Sequence, residues 1–187
     1  FSNAAFFLCM GALSPEGIEV TGLDPASHQG DRAIVDILRS FGAELREIQG
    51  GYFVRRARLH GLTIDAKPIP DLIPVLSVLA ALVQGETRIV NAGRLRLKES
   101  DRLSSTAALI RSLGGEAEEL EEGLVIHGKA RLAGGKVDSF GDHRIAMAAA
   151  TAACGCSAPV ELSGAQAVNK SYPRFWEDFD ALAGGKT

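Results

Sequence analysis

Hydrophobic and polar positions along this chain follow two periods, and the order of the periods repeats. Residues 6–13 are nearly all apolar, residues 18–22 alternate apolar with polar, and Ile34, Leu38 and Phe41 recur at helical spacing. Recurrence every three or four residues puts apolar side chains on one side of a helix, and recurrence every two puts them on one face of a strand. The same succession returns at 72–83, 87–91 and 101–113, and again at 144–153, 159–164 and 173–183. Each second helix is predicted to stop at a glycine: Gly42, Gly114 and Gly184, spaced by 72 and 70 positions. Glycine adopts the left-handed conformation that closes a helix without a steric penalty. After the first two of these helices, residues 44–48 and 52–54 flank Gln49-Gly50-Gly51, and residues 116–120 and 124–127 flank Glu122-Gly123. Glycine-containing turns between alternating segments predict hairpins.

The repeating unit therefore reads helix, strand, helix, strand, strand over about 70 residues, used almost three times. The third unit reaches Thr187 without its strand pair. Open stacking into a solenoid is one way to assemble such units. A closed arrangement with pseudo-threefold symmetry suits three units, one of them incomplete, better. The fold class is α/β (α+β). The first residues, Phe1-Ser2-Asn3, include neither methionine nor the positive charge of a signal peptide, and lead directly into an apolar helix. The expectation is a fragment of a longer protein.

The 187 residues fit a single domain spanning 1–187, with 46% hydrophobic and 23% charged residues to form its core and surface. A net charge of −3 gives no overall basic field for nucleic acid, so an anionic ligand must be met by local cations. The apolar runs are broken short of the roughly 20 residues of a membrane span. Cys9, Cys154 and Cys156 have no metal-spaced partners and are expected to be small buried apolar residues.

Charge concentrates at the joints of the repeat. The stretch 94–103 sets Arg94, Arg96, Lys98 and Arg102 beside Glu99 and Asp101 just before a helix. Gly141-Asp142-His143-Arg144 opens the next apolar helix, Asn169-Lys170-Ser171-Tyr172-Pro173 precedes the last, and Asp71 stands alone after Pro70. Taken singly, each has an ordinary explanation. The first is a solvated charged helix start, Asp142 and Asp71 are helix caps, and Pro173 is a first helical residue. Helix N-termini also carry free N–H groups and a positive dipole end, which makes them ready anion sites.

Lys98-Glu99-Ser100-Asp101-Arg102-Leu103, Gly141-Asp142-His143-Arg144-Ile145-Ala146-Met147-Ala148 and Asn169-Lys170-Ser171-Tyr172-Pro173-Arg174-Phe175-Trp176, with Ile69-Pro70-Asp71 and Gln29-Gly30-Asp31 upstream, resemble the enolpyruvyl transferases. Within that family they resemble the 5-enolpyruvylshikimate-3-phosphate synthases, over essentially the whole chain. The resemblance implies an enolpyruvyl transferase-like domain of βαβαββ units, most of the C-terminal globular domain of a two-domain enzyme. The N-terminal domain of the same chain would be absent, along with an N-terminal strand that completes the third unit. It implies transfer of the carboxyvinyl group of phosphoenolpyruvate to the 5-hydroxyl of shikimate 3-phosphate, in the biosynthesis of chorismate and aromatic amino acids. It implies a cytoplasmic, monomeric whole enzyme with no metal or organic cofactor, no nucleic acid and no membrane.

By the same resemblance, Asp71 contacts the 5-hydroxyl and serves as base, and Glu99 serves in proton transfer. Lys98 joins Asp71 in binding shikimate 3-phosphate. Arg102 and Arg144 clamp the phosphoenolpyruvate carboxylate, Lys170 binds its phosphate, and His143 stands behind them. Some relatives carry a substrate-binding Asn where this chain has Arg94, so that role is not transferred. UDP-N-acetylglucosamine enolpyruvyl transferase is the rival within the family, and a non-catalytic module is the rival outside it. Convergence of the six charged residues on one face favours a site; scatter favours the module.

Overall fold

The computed structural model describes residues 1–184. The chain runs α1 (Ala4–Leu13), β1 (Ile18–Thr21), α2 (Ile34–Phe41), β2 (Glu44–Ile48), β3 (Gly51–Arg55), β4 (Thr63–Asp65), α3 (Ile73–Ala81), β5 (Glu86–Val90), α4 (Arg102–Ser112), β6 (Glu116–Leu120), β7 (Gly123–His127), β8 (Gly135–Asp138), α5 (His143–Ala153), β9 (Val160–Ser163) and α6 (Phe175–Gly184). Short 3-10 turns at Gly30–Ala33, Pro70–Leu72, Gly93–Leu97 and Ala165–Lys170 lead into α2, α3, the α4 approach and the α6 approach.

A helix with no polar stripe must be buried all round. α3 is buried along its whole length, α1 from Ala5 to Leu13, and α5 from His143 to Ala152. These three helices form the centre of the molecule, and each packs against both of the others. In an open stack the first and third would not meet, so the contact between α1 and α5 identifies closure.

Around this trio lie three sheets that repeat one pattern to different extents. The middle sheet has the order β4-β5-β7-β6, with β4 parallel to β5 and β7 antiparallel to both β5 and β6. The first sheet, β1-β3-β2, is the same without the strand corresponding to β4. The third, β8-β9, is the parallel pair alone. The incomplete third unit is as expected. The first unit also lacks a strand, its opening one, among the described residues.

The helix-first reading of the repeat missed β4 and β8, the opening strands implied by the family resemblance. Each buries only one side chain, Ile64 or Val137, which is too few for an alternating signal. Gly42 and Gly114 have φ of +95° and +82°, as helix stops require, whereas Gly184 belongs to α6 and is the last described residue. Cysteine burial holds only for Cys9; Cys154 is exposed and Cys156 half-buried. The latter two lie past the end of α5, where their thiols turn back to the carbonyls of Ala150 and Ala152. No described helix is long and apolar enough to cross a membrane.

Candidate functional site

The repeat brings equivalent joints to one place. Asp71 lies in the turn before α3, Arg102 opens α4, His143 and Arg144 open α5, and Lys170 ends the turn before α6. Lys98 and Glu99 lie on the loop between the Gly93–Leu97 turn and α4. Asp71, Leu97, Lys98, Glu99, Arg102, His143 and Arg144 line one cleft of about 320 Å³. Lys170 joins them through Glu99, its Nζ 2.7 Å from Oε1. The six charged residues expected to form a site therefore converge. The positive ends of α4 and α5 open on this cleft and add to its attraction for anions.

Arg102 is the hub, with 1% of its side chain exposed. Its Nε donates to Asp142 Oδ2 at 2.8 Å, and its Nη2 to Glu99 Oε2 at 2.7 Å and Asp142 Oδ1 at 3.2 Å. Its Nη1 donates to Asp71 Oδ1 at 2.8 Å. Burial opposes a charge here, but Asp142, Glu99 and Asp71 more than compensate and hold the guanidinium firmly protonated. Asp142 is wholly buried and also accepts from Ser100 Oγ and from the backbone N–H of Arg144, which caps α5. Asp142 is thus both the expected cap and the internal counter-ion of Arg102.

Asp71 was expected to be a cap when taken singly. Its side chain makes no capping bond and turns into the cleft instead. Lys98 Nζ lies 3.3 Å from its Oδ1, and Arg144 Nη2 lies 3.6 Å from its Oδ2. Burial raises its proton affinity, but Arg144, Lys98 and Arg102 outweigh that and hold the carboxyl below its usual range. Glu99 is held down to about 2, chiefly by its bond to Lys170 and despite some burial.

Arg144 is 7% exposed and donates to the Ser2 carbonyl at 3.1 Å, but its buried Nε has no hydrogen-bond partner among the described residues. Burial lowers its pKa, as it does that of His143, whose buried Nδ1 lies 3.9 Å from Asp142 Oδ1 and makes no hydrogen bond among the described residues. Burying an unpaired donor is costly, so an acceptor placed at Arg144 Nε would be favoured. Four cations, Lys98, Arg102, Arg144 and Lys170, face three carboxylates, Asp71, Glu99 and Asp142, leaving one net positive charge with His143 neutral.

One expectation needs adjusting. Pro173 precedes α6 by two residues and is not its first residue. Four of the five N–H groups of Arg102 have carboxylate partners within the protein. Arg94 is exposed and does not line the cleft. Sequence reasoning assigned no site role to Asp142 or Ser100. The available signal was a carboxylate beside a cation at a helix start in a strongly apolar sequence, where a buried charge requires a buried partner.

Comparison with known proteins gives a consistent picture. The family model for EPSP synthase (3-phosphoshikimate 1-carboxyvinyltransferase) matches residues 1–179. The chain is 47% identical to the 3-phosphoshikimate 1-carboxyvinyltransferase of Clostridium novyi over 184 residues, covering 98% of this chain and 42% of that protein. It is 49% identical to that of Clostridium kluyveri, covering 98% and 43%. Among solved structures, an EPSP synthase from Acinetobacter baumannii superposes with a TM-score of 0.77 at 30% identity, covering 94% of this chain and 44% of that one. The chain thus spans less than half the length of these relatives.

Proposed function

Since the chain belongs to the EPSP synthase family, we propose that it forms most of one globular domain of such a synthase and supplies about half of an active site. That site would transfer the carboxyvinyl group of phosphoenolpyruvate to the 5-hydroxyl of shikimate 3-phosphate, releasing phosphate. The supporting observation is the convergence of Asp71, Lys98, Glu99, Arg102, Arg144 and Lys170 on one cleft. The substrates and the rest of the synthase chain are the proposed partners, and the whole enzyme is a cytoplasmic monomer.

In this reading the site's cations are held largely by its own carboxylates. Asp71 and Glu99 occupy the cations that the substrates' anionic groups need. Phosphoenolpyruvate brings a carboxylate to Arg144, whose Nε has no hydrogen-bond partner among the described residues, and to the outward Nη groups of Arg102. Its phosphate takes Lys170, and Lys98 turns to shikimate 3-phosphate. Each exchange removes a cation from Asp71 or Glu99 and raises that carboxyl's proton affinity. Asp71 then takes the 5-hydroxyl proton as the oxygen attacks C2, while Glu99, protonated from solvent once Lys170 has left it, delivers that proton to the methylene carbon. Collapse of the tetrahedral adduct breaks the bond from C2 to the phosphate oxygen, returns the methyl proton to Glu99, and passes the proton held by Asp71 to the departing phosphate. Neutral His143 stands behind Arg144.

The test is turnover by the complete synthase, with phosphate release measured against each substrate. Release that requires both shikimate 3-phosphate and phosphoenolpyruvate is expected. Activity with UDP-N-acetylglucosamine in place of shikimate 3-phosphate, or with neither acceptor, overturns the assignment.

A further inference from the structure

The loop that carries Lys98 and Glu99 has almost no apolar anchorage. Leu95 is buried and so is Leu103, but Leu97 between them is 87% exposed. What holds the intervening stretch is polar: Lys98, Glu99 and Ser100 pair with groups of the cleft, and among the described residues Arg96 alone of its side chains ties it to the β6–β7 segment. Arg96 Nε donates to the Glu121 carbonyl at 3.0 Å, and its Nη2 donates to the Leu120 carbonyl at 2.7 Å. Its Nη1 donates to Glu119 Oε1 and Asp101 Oδ2, both at 2.8 Å. The first three acceptors lie at the end of β6 and the turn into β7, on the neighbouring sheet. The fourth, Asp101, caps α4 by accepting from the N–H groups of Leu103 and Ser104. Ser104 Oγ closes the ring onto the same Glu119 oxygen.

We propose that Arg96 is a positioning residue for the reaction. It fastens the loop before α4 to the β6–β7 turn and thereby sets Lys98 at the acceptor and Glu99 at the reacting carbon. Arg96 itself does not line the cleft. It stands two residues before Lys98, and its partner Asp101 immediately precedes Arg102, so slack at Arg96 is delivered directly to the site. The planar fork of arginine suits the task because it meets two carbonyls and two carboxylates at once, which a lysine ammonium cannot. The proposal rests on the synthase reading above.

The experiment is steady-state kinetics of the complete synthase carrying Arg96→Ala, Arg96→Lys or Glu119→Gln, with each substrate varied and urea unfolding measured alongside. Arg111→Ala is the control. Arg111 makes a comparable tie from α4 to β6, from its Nε to the Ala117 carbonyl at 2.8 Å, at the far end of the helix. Arg96→Ala is expected to raise KM for shikimate 3-phosphate and lower kcat, on the order of ten- to a hundredfold combined, as for displaced catalytic groups. Arg96→Lys should fall between it and wild type. In a Lys98→Ala background the effect of Arg96→Ala on acceptor KM should vanish, because it acts through Lys98. Should Arg96→Ala not fold, Glu119→Gln and Arg96→Lys decide by a smaller loss of the same kind. The idea is overturned if folded Arg96 variants keep wild-type constants, if Arg111→Ala reproduces their kinetics, or if the Lys98 and Arg96 effects multiply. A wild-type enzyme that does not use shikimate 3-phosphate would instead overturn the synthase reading itself.

Discussion

Replacing Asp142 by Asn tests whether Arg102 depends on a buried counter-ion. Asp142 accepts four hydrogen bonds: from Arg144 N and Arg102 Nη2 on Oδ1, and from Arg102 Nε and Ser100 Oγ on Oδ2. Asn keeps the size and, with its oxygen at the Oδ1 position, the helix cap. Its NH₂ group then faces Arg102 Nε–H, donor against donor, and Ser100 can rotate to accept. The substitution therefore removes one charge-assisted bond, worth about 1.5–3 kcal/mol, and the negative charge beside a buried cation. Breaking an isolated buried pair costs about 3–5 kcal/mol, but Arg102 retains Asp71 and Glu99. The expected loss for Asp142→Asn is therefore about 2–3 kcal/mol. Asp142→Ala should lose about 1 kcal/mol more, because the cap goes too. Urea unfolding followed by far-UV circular dichroism reads both, as a lower midpoint at unchanged slope. An Asn variant within about 0.5 kcal/mol of wild type, the usual range for inconsequential surface changes, would refute the idea that Asp142 neutralises Arg102.

The depressed pKa of Glu99, about 2 against an ordinary 4.5, makes its pairing with Lys170 a source of stability above pH 4.5 that is lost as pH falls towards 2. The stability gap between wild type and Lys170→Gln should therefore narrow over that window in a urea series; a gap that does not change with pH would contradict it. Gly128→Ala should destabilise by about 3 kcal/mol or more, comparable to severe overpacking, since a methyl there would lie 1.6 Å from the carbonyl oxygen of Val83, two residues past the buried α3. A urea midpoint near wild type would show that the Gly128 backbone can move aside. Phe140 has φ of +53° with 47% of its surface exposed; Phe140→Asn should be neutral or stabilise by up to about 1 kcal/mol, because Asn tolerates that conformation better. A clear drop in thermal midpoint would mean that the exposed ring contributes packing.

The repeat was legible because its central helices leave a strong trace. An apolar run such as Ile73–Ala81 can only be buried, and three such runs at similar spacing imply a shared core. Gly42 and Gly114 marked helix ends because their positive φ excludes most other residues. The opening strands β4 and β8 were not legible, since their pairing is with β5 and β9 and is mostly backbone bonding, which leaves little mark on side-chain pattern. At the site, the residue types and joints could be read, but not who pairs with whom. Lys170 and Glu99 are 71 positions apart and Asp142 and Arg102 are 40 apart, and their meeting depends on closure of the three units. The burial of Arg102 and its three carboxylate partners were not legible for the same reason: both are tertiary facts.

The three carboxylates around Arg102 differ in how they can serve a ligand. Asp142 is fully buried and holds the Nε edge of the guanidinium, whereas the side chains of Asp71 and Glu99 are 36% and 27% exposed and hold its outer nitrogens. An anion entering from the open cleft can compete for Arg102 only where solvent reaches. It can displace Asp71 and Glu99, while Asp142 stays in place and keeps the guanidinium oriented. Four cations and two helix N-termini directed at one cleft would otherwise repel one another. Internal carboxylates remove that strain, and the energy needed to displace them is set against the ligand's own ion pairs. On the proposed reading, that opposition limits how tightly the substrates bind and frees Asp71 and Glu99 to move protons only after the cations have been taken over.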